Sequence, residues 1–234
     1  MILFEGLCEL FDNFRHALDI KHSHSGIGTR NLNRERWARE AYEKAMKEEK
    51  NKKMYISADK LLEDSFDLAL KIYNSGYEPN WIVGIWRGGT PIGIAVQELL
   101  EYLGIKTDHI SIRTSAYDGI GKQNEYIRVH GLEYIVKNIN SDDSMLIVDD
   151  VFDTGRSVYQ VIKQIHQYCR KNTPEIKIAT PYFKPENNLT TIHPDYYLHK
   201  TDKWIVFPHE INGLTAEEIV KNKSYLASKL EKII

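Results

Sequence analysis

Thirteen residues constrain this chain more than any others: Met145-Leu146-Ile147-Val148-Asp149-Asp150-Val151-Phe152-Asp153-Thr154-Gly155-Arg156-Ser157. Four apolar residues run directly into two acids. A third acid, a glycine and two hydroxyl residues come next, before an amphipathic helical pattern begins. An unbroken apolar run of this kind suits a central parallel strand covered on both faces. Open parallel sheets bind ligands at the carboxyl ends of their strands, and Asp149 and Asp150 fall at that end. Gly155 permits a tight turn close to a ligand. Thr154 and Ser157 offer hydroxyls, and the helix start adds unpaired N–H groups and the positive end of its dipole. The stretch reads as a strand running into a phosphate-holding loop, with two acids turned toward a metal or a group rich in hydroxyls. An ordinary strand–turn–helix with acids on an exposed turn is the plainer alternative.

A second unit of the same design lies upstream. Trp81-Ile82-Val83-Gly84-Ile85-Trp86 reads as a buried strand and ends in Arg87-Gly88-Gly89-Thr90-Pro91. A helix over 92–103 comes after it, with Ala95, Val96, Leu99 and Leu103 inward. The two glycines bare backbone N–H groups to an anion and Arg87 adds a fixed charge, although Arg-Gly-Gly alone also reads as a plain turn. Before this unit, Ser57 is a candidate N-cap, and Leu62, Phe66, Ala69, Leu70 and Tyr73 recur at helical spacing until Gly76 and Pro79. Residues 108–114 alternate as a strand does. Residues 115–125 read as a polar loop or a surface hairpin. A short helix is expected around Leu132–Ile139, and another, buried through Val158, Val161, Ile162 and Ile165, after the central loop. Ile176–Pro181 is a further strand, and 196–210 is extended and aromatic-rich. One terminal helix is expected over 215–232. Strands alternating with helices imply a right-handed, parallel α/β sheet.

The first 53 residues differ in texture. Leu3, Leu7, Leu10, Phe11 and Phe14 mark an amphipathic helix. Residues 21–33 read as a linker, whose His22 and His24 we take as solvent-exposed rather than metal-binding. Residues 34–53 read as a solvated helix, with Glu40–Lys44 and Glu43–Lys47 in the favourable order. We therefore divide the chain into a helical N-terminal extension, residues 1–53, and a main domain, residues 54–234. A net charge of -2 over 234 residues argues against nucleic acid as the main partner, which requires a basic surface. Cys8 and Cys169 have neither metal-ligand spacing nor a disulfide framework. Glu5 and Glu9 interrupt the apolar start, unlike a signal peptide, and no apolar run is long enough to span a membrane. These features fit a reducing, cytoplasmic location.

The 145–157 stretch resembles the phosphoribosyl-diphosphate (PRPP) signature of the type I phosphoribosyltransferases, and Arg87-Gly88-Gly89 is similar to that family's pyrophosphate loop. The resemblance spans about residues 54–212. Lys184 and Trp204 match the lysine and the stacking aromatic of the 6-oxopurine branch. The spacing of Trp204, Pro208 and Glu210 is similar to that of the bacterial xanthine–guanine enzyme, with Val206 where that enzyme has an acid. The resemblance implies a parallel sheet flanked by helices with a small hood. It also implies transfer of the 5-phosphoribosyl group from PRPP to hypoxanthine, guanine or xanthine, giving a nucleoside monophosphate and pyrophosphate with Mg²⁺ as cofactor. Asp149 and Asp150 would face the ribose hydroxyls, directly or through hydrated metal. Thr154, Gly155, Arg156 and Ser157 would hold the 5-phosphate, and Arg87, Gly88 and Gly89 the pyrophosphate, with a cis peptide at Arg87–Gly88. Asp153 would accept or relay the N7 proton, Lys184 would donate to the 6-oxo group, Trp204 would stack on the base, and backbone near Ile205 would read the 2-position. Ser115 and Tyr117 would open a mobile loop. A homodimer or homotetramer is implied, with no nucleic-acid or membrane partner. Two alternatives stand beside this: a non-catalytic sensor of PRPP or nucleotides on the same fold, and a phosphoribosyltransferase for another base.

Overall fold

The computed structural model of the chain describes residue 40, residues 52–117 and residues 126–230. The expectations for residues 1–39 and 41–51, including His22 and His24, for residues 118–125 and for the end of the terminal helix at 231–232 lie outside the described residues. The chain divides into two compact units, residues 1–49 and 50–234, and the elements below belong to the second. Among the described residues, no helix is long and apolar enough to cross a membrane.

At the centre is β2 (Trp81–Trp86), parallel to β3 (Asp108–Tyr117) on one side and to β5 (Ser144–Val148) on the other. Next to β5 lies β7 (Glu175–Phe183), also parallel, and then β8 (Tyr196–Lys200). The short β6 (Val151–Phe152) pairs with the far end of β7. On the opposite edge β4 (Tyr126–His130) runs antiparallel to β3. Burial of every residue from Trp81 to Ile85 and from Met145 to Val148 is the signature of strands covered on both faces. The alternation of side chains along a strand sorts them. Ile82, Leu146 and Val148 pack with Leu61, Leu68 and Ile72 of α1 (Ala58–Asn74) and with Ile92, Val96 and Leu100 of α2 (Gly89–Tyr102). Trp81, Val83, Ile85, Met145 and Ile147 pack with Ile135 of α3 (Glu133–Asn138) and with Val158, Val161 and Ile165 of α4 (Arg156–Cys169). This is the parallel α/β sheet flanked by helices that the resemblance implied.

A second, two-stranded sheet pairs β1 (Lys53–Tyr55) with β9 (Trp204–Val206) in parallel. It is tied to α5 (Ala216–Asn222) by Lys53 and Glu218, 2.8 Å apart. This is the hood. Four local expectations change. The second helix begins at Gly89 rather than 92, because Pro91 fits the first turn, where no N–H is needed. Ser57 does cap α1, accepting from the Lys60 N–H at 3.1 Å. However, the buried side of α1 is Leu61, Asp64, Ser65, Leu68, Ala69 and Ile72, while Leu62, Phe66, Leu70 and Tyr73 stand exposed. Ser115 and Tyr117 continue β3 instead of starting a loop, paired with Arg128 and Tyr126 of β4. The expected terminal helix is two, α5 and α6 (Ser224–Leu230), broken at Lys223, whose φ of -137° and ψ of 48° leave the helical region.

Candidate active site

The acids sit where strand pairing changes hands. The β5 ladder with β7 ends at Val148–Ala179, and β6 resumes it at Val151–Tyr182. Asp149 and Asp150 occupy the step between. The Asp149 N–H still reaches the Ala179 carbonyl at 3.2 Å. The step is held by its own carboxylates: Asp149 Oδ1 accepts from the Asp150 N–H at 3.0 Å, and Asp150 Oδ1 from the Val151 N–H at 2.8 Å. Burial pushes Asp149 well above the usual carboxylate range, and the Asp150 charge pushes it further. Burial, with the nearby Glu210 charge, pushes Asp150 up to about 6.

Arg87, Gly88 and Gly89 lie against these acids, and the glycines are required there. A Cβ on Gly88 would strike the Asp150 carboxylate. One on Gly89 would strike the Val148 carbonyl oxygen and come within 2.8 Å of Asp149 Cα. The loop therefore lies flat on the acidic step. Its cis peptide is Trp86–Arg87, one bond before the expected Arg87–Gly88, at the point where β2 ends and the turn begins. A cavity of about 460 Å³ opens between loop and step, lined by Trp86, Arg87, Gly88, Thr90, Thr114, Asp149 and Asp150, and closed from the hood side by His209 and Glu210.

Beyond the acids, Gly155 takes a φ of 73° at the N-cap of α4, a conformation that favours glycine. A Cβ there would also meet Thr190 Oγ1 at 2.6 Å. Thr154, Arg156 and Ser157 surround this turn at the positive end of a 14-residue helix.

At the other end of the site, Phe152 and Phe183 are register partners and the Lys184 N–H donates to the Phe152 carbonyl at 2.9 Å. The next residues, Asp153 and Lys184, are therefore neighbours, and Lys184 Nζ lies 3.0 Å from Asp153 Oδ2. Lys184 is buried. Asn187 Nδ2 donates to the other oxygen, Oδ1, at 2.8 Å. Trp204 is 63% exposed at the start of β9, and Ile205 is buried beside it. Lys184, Asp153 and Trp204 are outside the lining of the 460 Å³ cavity, which spans the acidic step and the glycine loop. Sequence reasoning gave no part to Asn187, Thr90, Thr114 or His209. For Asn187 the signal was present: Pro185 opens a tight turn that brings the third residue after Lys184 back beside it.

The family model described as the phosphoribosyl transferase domain matches residues 53–212, a span that includes every part of this site. The hypoxanthine-guanine phosphoribosyltransferase of Lactococcus lactis subsp. lactis is 27% identical over 181 residues, covering 74% of this chain and 88% of that protein. That of Streptococcus pyogenes serotype M3 is 24% identical over 189 residues, covering 80% and 98%. The purine phosphoribosyltransferase of Pyrococcus horikoshii Ot3 superposes with a TM-score of 0.54 at 31% identity, covering 70% of this chain and 97% of that one. The Helicobacter pylori xanthine-guanine-hypoxanthine phosphoribosyltransferase shares the fold, with a TM-score of 0.57 at 19% identity, covering 74% and 99%.

Proposed function

We propose that this chain, which belongs to the phosphoribosyl transferase family, moves the 5-phosphoribosyl group of PRPP onto a 6-oxopurine and releases pyrophosphate. The observation that carries the choice of base is the pair formed by Lys184 and Asp153. A buried ammonium and a carboxylate side by side complement an oxo acceptor at the 6-position and an N–H at N7. Adenine would turn its own amino hydrogens toward Lys184. In the free chain the two side chains satisfy each other. On binding, the oxo group takes a Lys184 hydrogen bond and N7–H donates to Asp153, while Asn187 keeps the carboxylate oriented. Trp204, exposed on β9, offers a face on which the purine stacks, and backbone near Ile205 faces the 2-position.

In the reaction the anomeric C–O bond breaks, its electron pair leaves with the pyrophosphate, and the purine nitrogen forms the new C–N bond. Asp153 accepts or relays the proton that the base gives up. Arg87 and the bare N–H groups of Gly88 and Gly89 hold the pyrophosphate. Thr154, Gly155, Arg156 and Ser157 hold the 5-phosphate at the start of α4. Asp149 and Asp150 hold the ribose hydroxyls. Their chemistry also fits Mg²⁺. They are oxygen-only donors crowded at one step, and among the described residues no group of three or more His, Cys, Asp or Glu could hold a metal by itself. This suits an ion that keeps water and substrate oxygens in its shell. Bound there, the ion would supply charge neutralisation for the departing pyrophosphate.

The test is pyrophosphate release from PRPP and Mg²⁺, run in parallel with hypoxanthine, guanine, xanthine, adenine and orotate. Release with 6-oxopurines alone supports the reading. Release only with adenine or orotate overturns the roles of Lys184 and Asp153. Binding of PRPP without release with any base replaces the enzyme with a sensor.

A further inference from the structure

Lys223 sits at the break between α5 and α6 and is 3% exposed. A buried ammonium is costly unless its hydrogens are taken up. Here they are taken up by two successive main-chain carbonyls of a loop fifteen and sixteen residues back: Nζ donates to the Phe207 oxygen at 3.0 Å and to the Pro208 oxygen at 2.9 Å. That loop is already a closed turn. The Glu210 N–H donates to the Phe207 oxygen at 3.1 Å, and Glu210 Oε2 accepts from the Phe207 N–H at 3.1 Å. Phe207 is packed edge-on against Tyr182 of β7, ring centroids 5.8 Å apart. One side of the turn is thus fixed to the core and pinned by Lys223. The other side presents His209 and Glu210 to the cavity that holds Arg87, Gly88 and the two acids. The chain leaves helical geometry at Lys223, and this aims the ammonium at the loop rather than along the helix surface.

We propose that Lys223 is a positioning residue for the pyrophosphate end of the site, holding the Phe207–Glu210 turn so that Glu210 and His209 close over the ligand. The assignment rests on the reading of that cavity as the pyrophosphate site. Glu210 brings a carboxylate to the far wall of the cavity that Asp149 and Asp150 line. An anionic ligand is tolerated there together with a cation, which makes magnesium pyrophosphate the appropriate probe.

The experiment is titration calorimetry of magnesium pyrophosphate into the full chain, as wild type, Lys223→Met, Glu210→Gln and the double variant, with melting temperatures measured alongside. Lys223→Met removes the donors at nearly constant volume. Its affinity is expected to fall roughly tenfold, the order lost with a charge-assisted hydrogen bond. In the Glu210→Gln background the same substitution is expected to add no further loss, because Lys223 acts through that turn. A merely structural lysine would lower the melting temperature and leave the affinity unchanged, or would add its loss independently in the double variant. Either result overturns the proposal. If Lys223→Met does not fold, Lys223→Arg takes its place in the same cycle. It keeps the charge but displaces the donors, and is expected to lose affinity several-fold in the wild type and none in Glu210→Gln. Wild-type protein that binds no magnesium pyrophosphate overturns the reading of the cavity and this assignment with it. Wild-type binding that Lys223 variants leave unchanged overturns the assignment alone.

Discussion

Asp153 has both carboxylate oxygens occupied in the free chain, by Lys184 at 3.0 Å and Asn187 at 2.8 Å. Held in this way, the carboxylate is oriented for the proton transfer proposed for it. Asp153→Asn is expected to lower turnover by about 10²–10⁴-fold, the usual range for general acid–base assistance, while PRPP affinity stays near wild type. Unchanged turnover would remove Asp153 from the reaction. Asp150 has the opposite character. Its carboxyl, pushed up to about 6 by burial and by Glu210, holds its proton where an ordinary aspartate has lost it. Binding of Mg²⁺ and PRPP is therefore expected to weaken as pH falls through 6 and to release protons at that pH. Calorimetry in two buffers of different ionisation enthalpy measures the release, and identical heats in both would refute it. Stability moves with the same titration. A raised folded pKa gives stability that is present below the unfolded value and lost as pH rises toward 6. Asp150→Asn should accordingly melt higher at pH 7, by roughly 2–8 °C for about 1–2 kcal/mol in a chain of this size, although it removes the proposed ribose contact.

Among the elements, α1 shows what a sequence pattern leaves open. Leu62, Phe66, Leu70 and Tyr73 recur at helical spacing, and so do Leu61, Leu68 and Ile72. Periodicity finds both stripes and does not say which one meets the sheet. Tertiary packing chose the second. Leu68→Ala is thus expected to cost about 2–5 kcal/mol, and Leu62→Ala, at 50% exposure, under about 1 kcal/mol. Urea denaturation of the two variants distinguishes the assignments. The central strands were legible because continuous apolar runs have few other uses, and the 145–157 loop because its acids, glycine and hydroxyls stand in order. The contacts between distant loops were less legible. Asn187 is signalled only from the Lys184 side, by the turn that Pro185 opens, and nothing in residues 215–232 marks Lys223 as the break, because the partner that draws it inward is a pair of carbonyls. The glycine loop carries its own test. Gly89→Ala is expected to lift the loop off Asp149, destabilise the fold by about 1–3 kcal/mol and abolish pyrophosphate release. Retained release with a normal melting curve would show that the close approach is not needed.

At the scale of the whole domain, one buried charge joins three elements. Asp64 on α1 accepts from Tyr182 of β7 at 2.9 Å, lies 2.9 Å from His199 of β8 and 2.6 Å from Lys60. Burial by itself would raise its carboxyl. The bonds from Lys60, His199 and Tyr182 outweigh that and hold it below the usual range. A depressed folded pKa gives stability that is present above the unfolded value and lost as pH falls through the folded one. Asp64 and Asp150 therefore tilt the pH–stability curve in opposite directions, one serving the scaffold and the other the proposed ligand site. Asp64→Asn is expected to destabilise the domain at pH 7 by about 1–3 kcal/mol, since its Lys60 and His199 partners remain in reach of solvent, and to flatten the acid side of the curve. An unaltered acid limb in pH-jump unfolding would assign that limb elsewhere. The close seating of Gly88 and Gly89 on Asp150 and Asp149 has a further consequence, for inheritance. Two loops about sixty residues apart in the chain share a single layer of space: a side-chain atom at Gly88 needs the acid at 150 to give way, and one at Gly89 meets backbone whatever side chains stand opposite. Drift at the glycine loop is therefore vetoed by the acidic step, at one position through a side chain and at the other through the main chain itself.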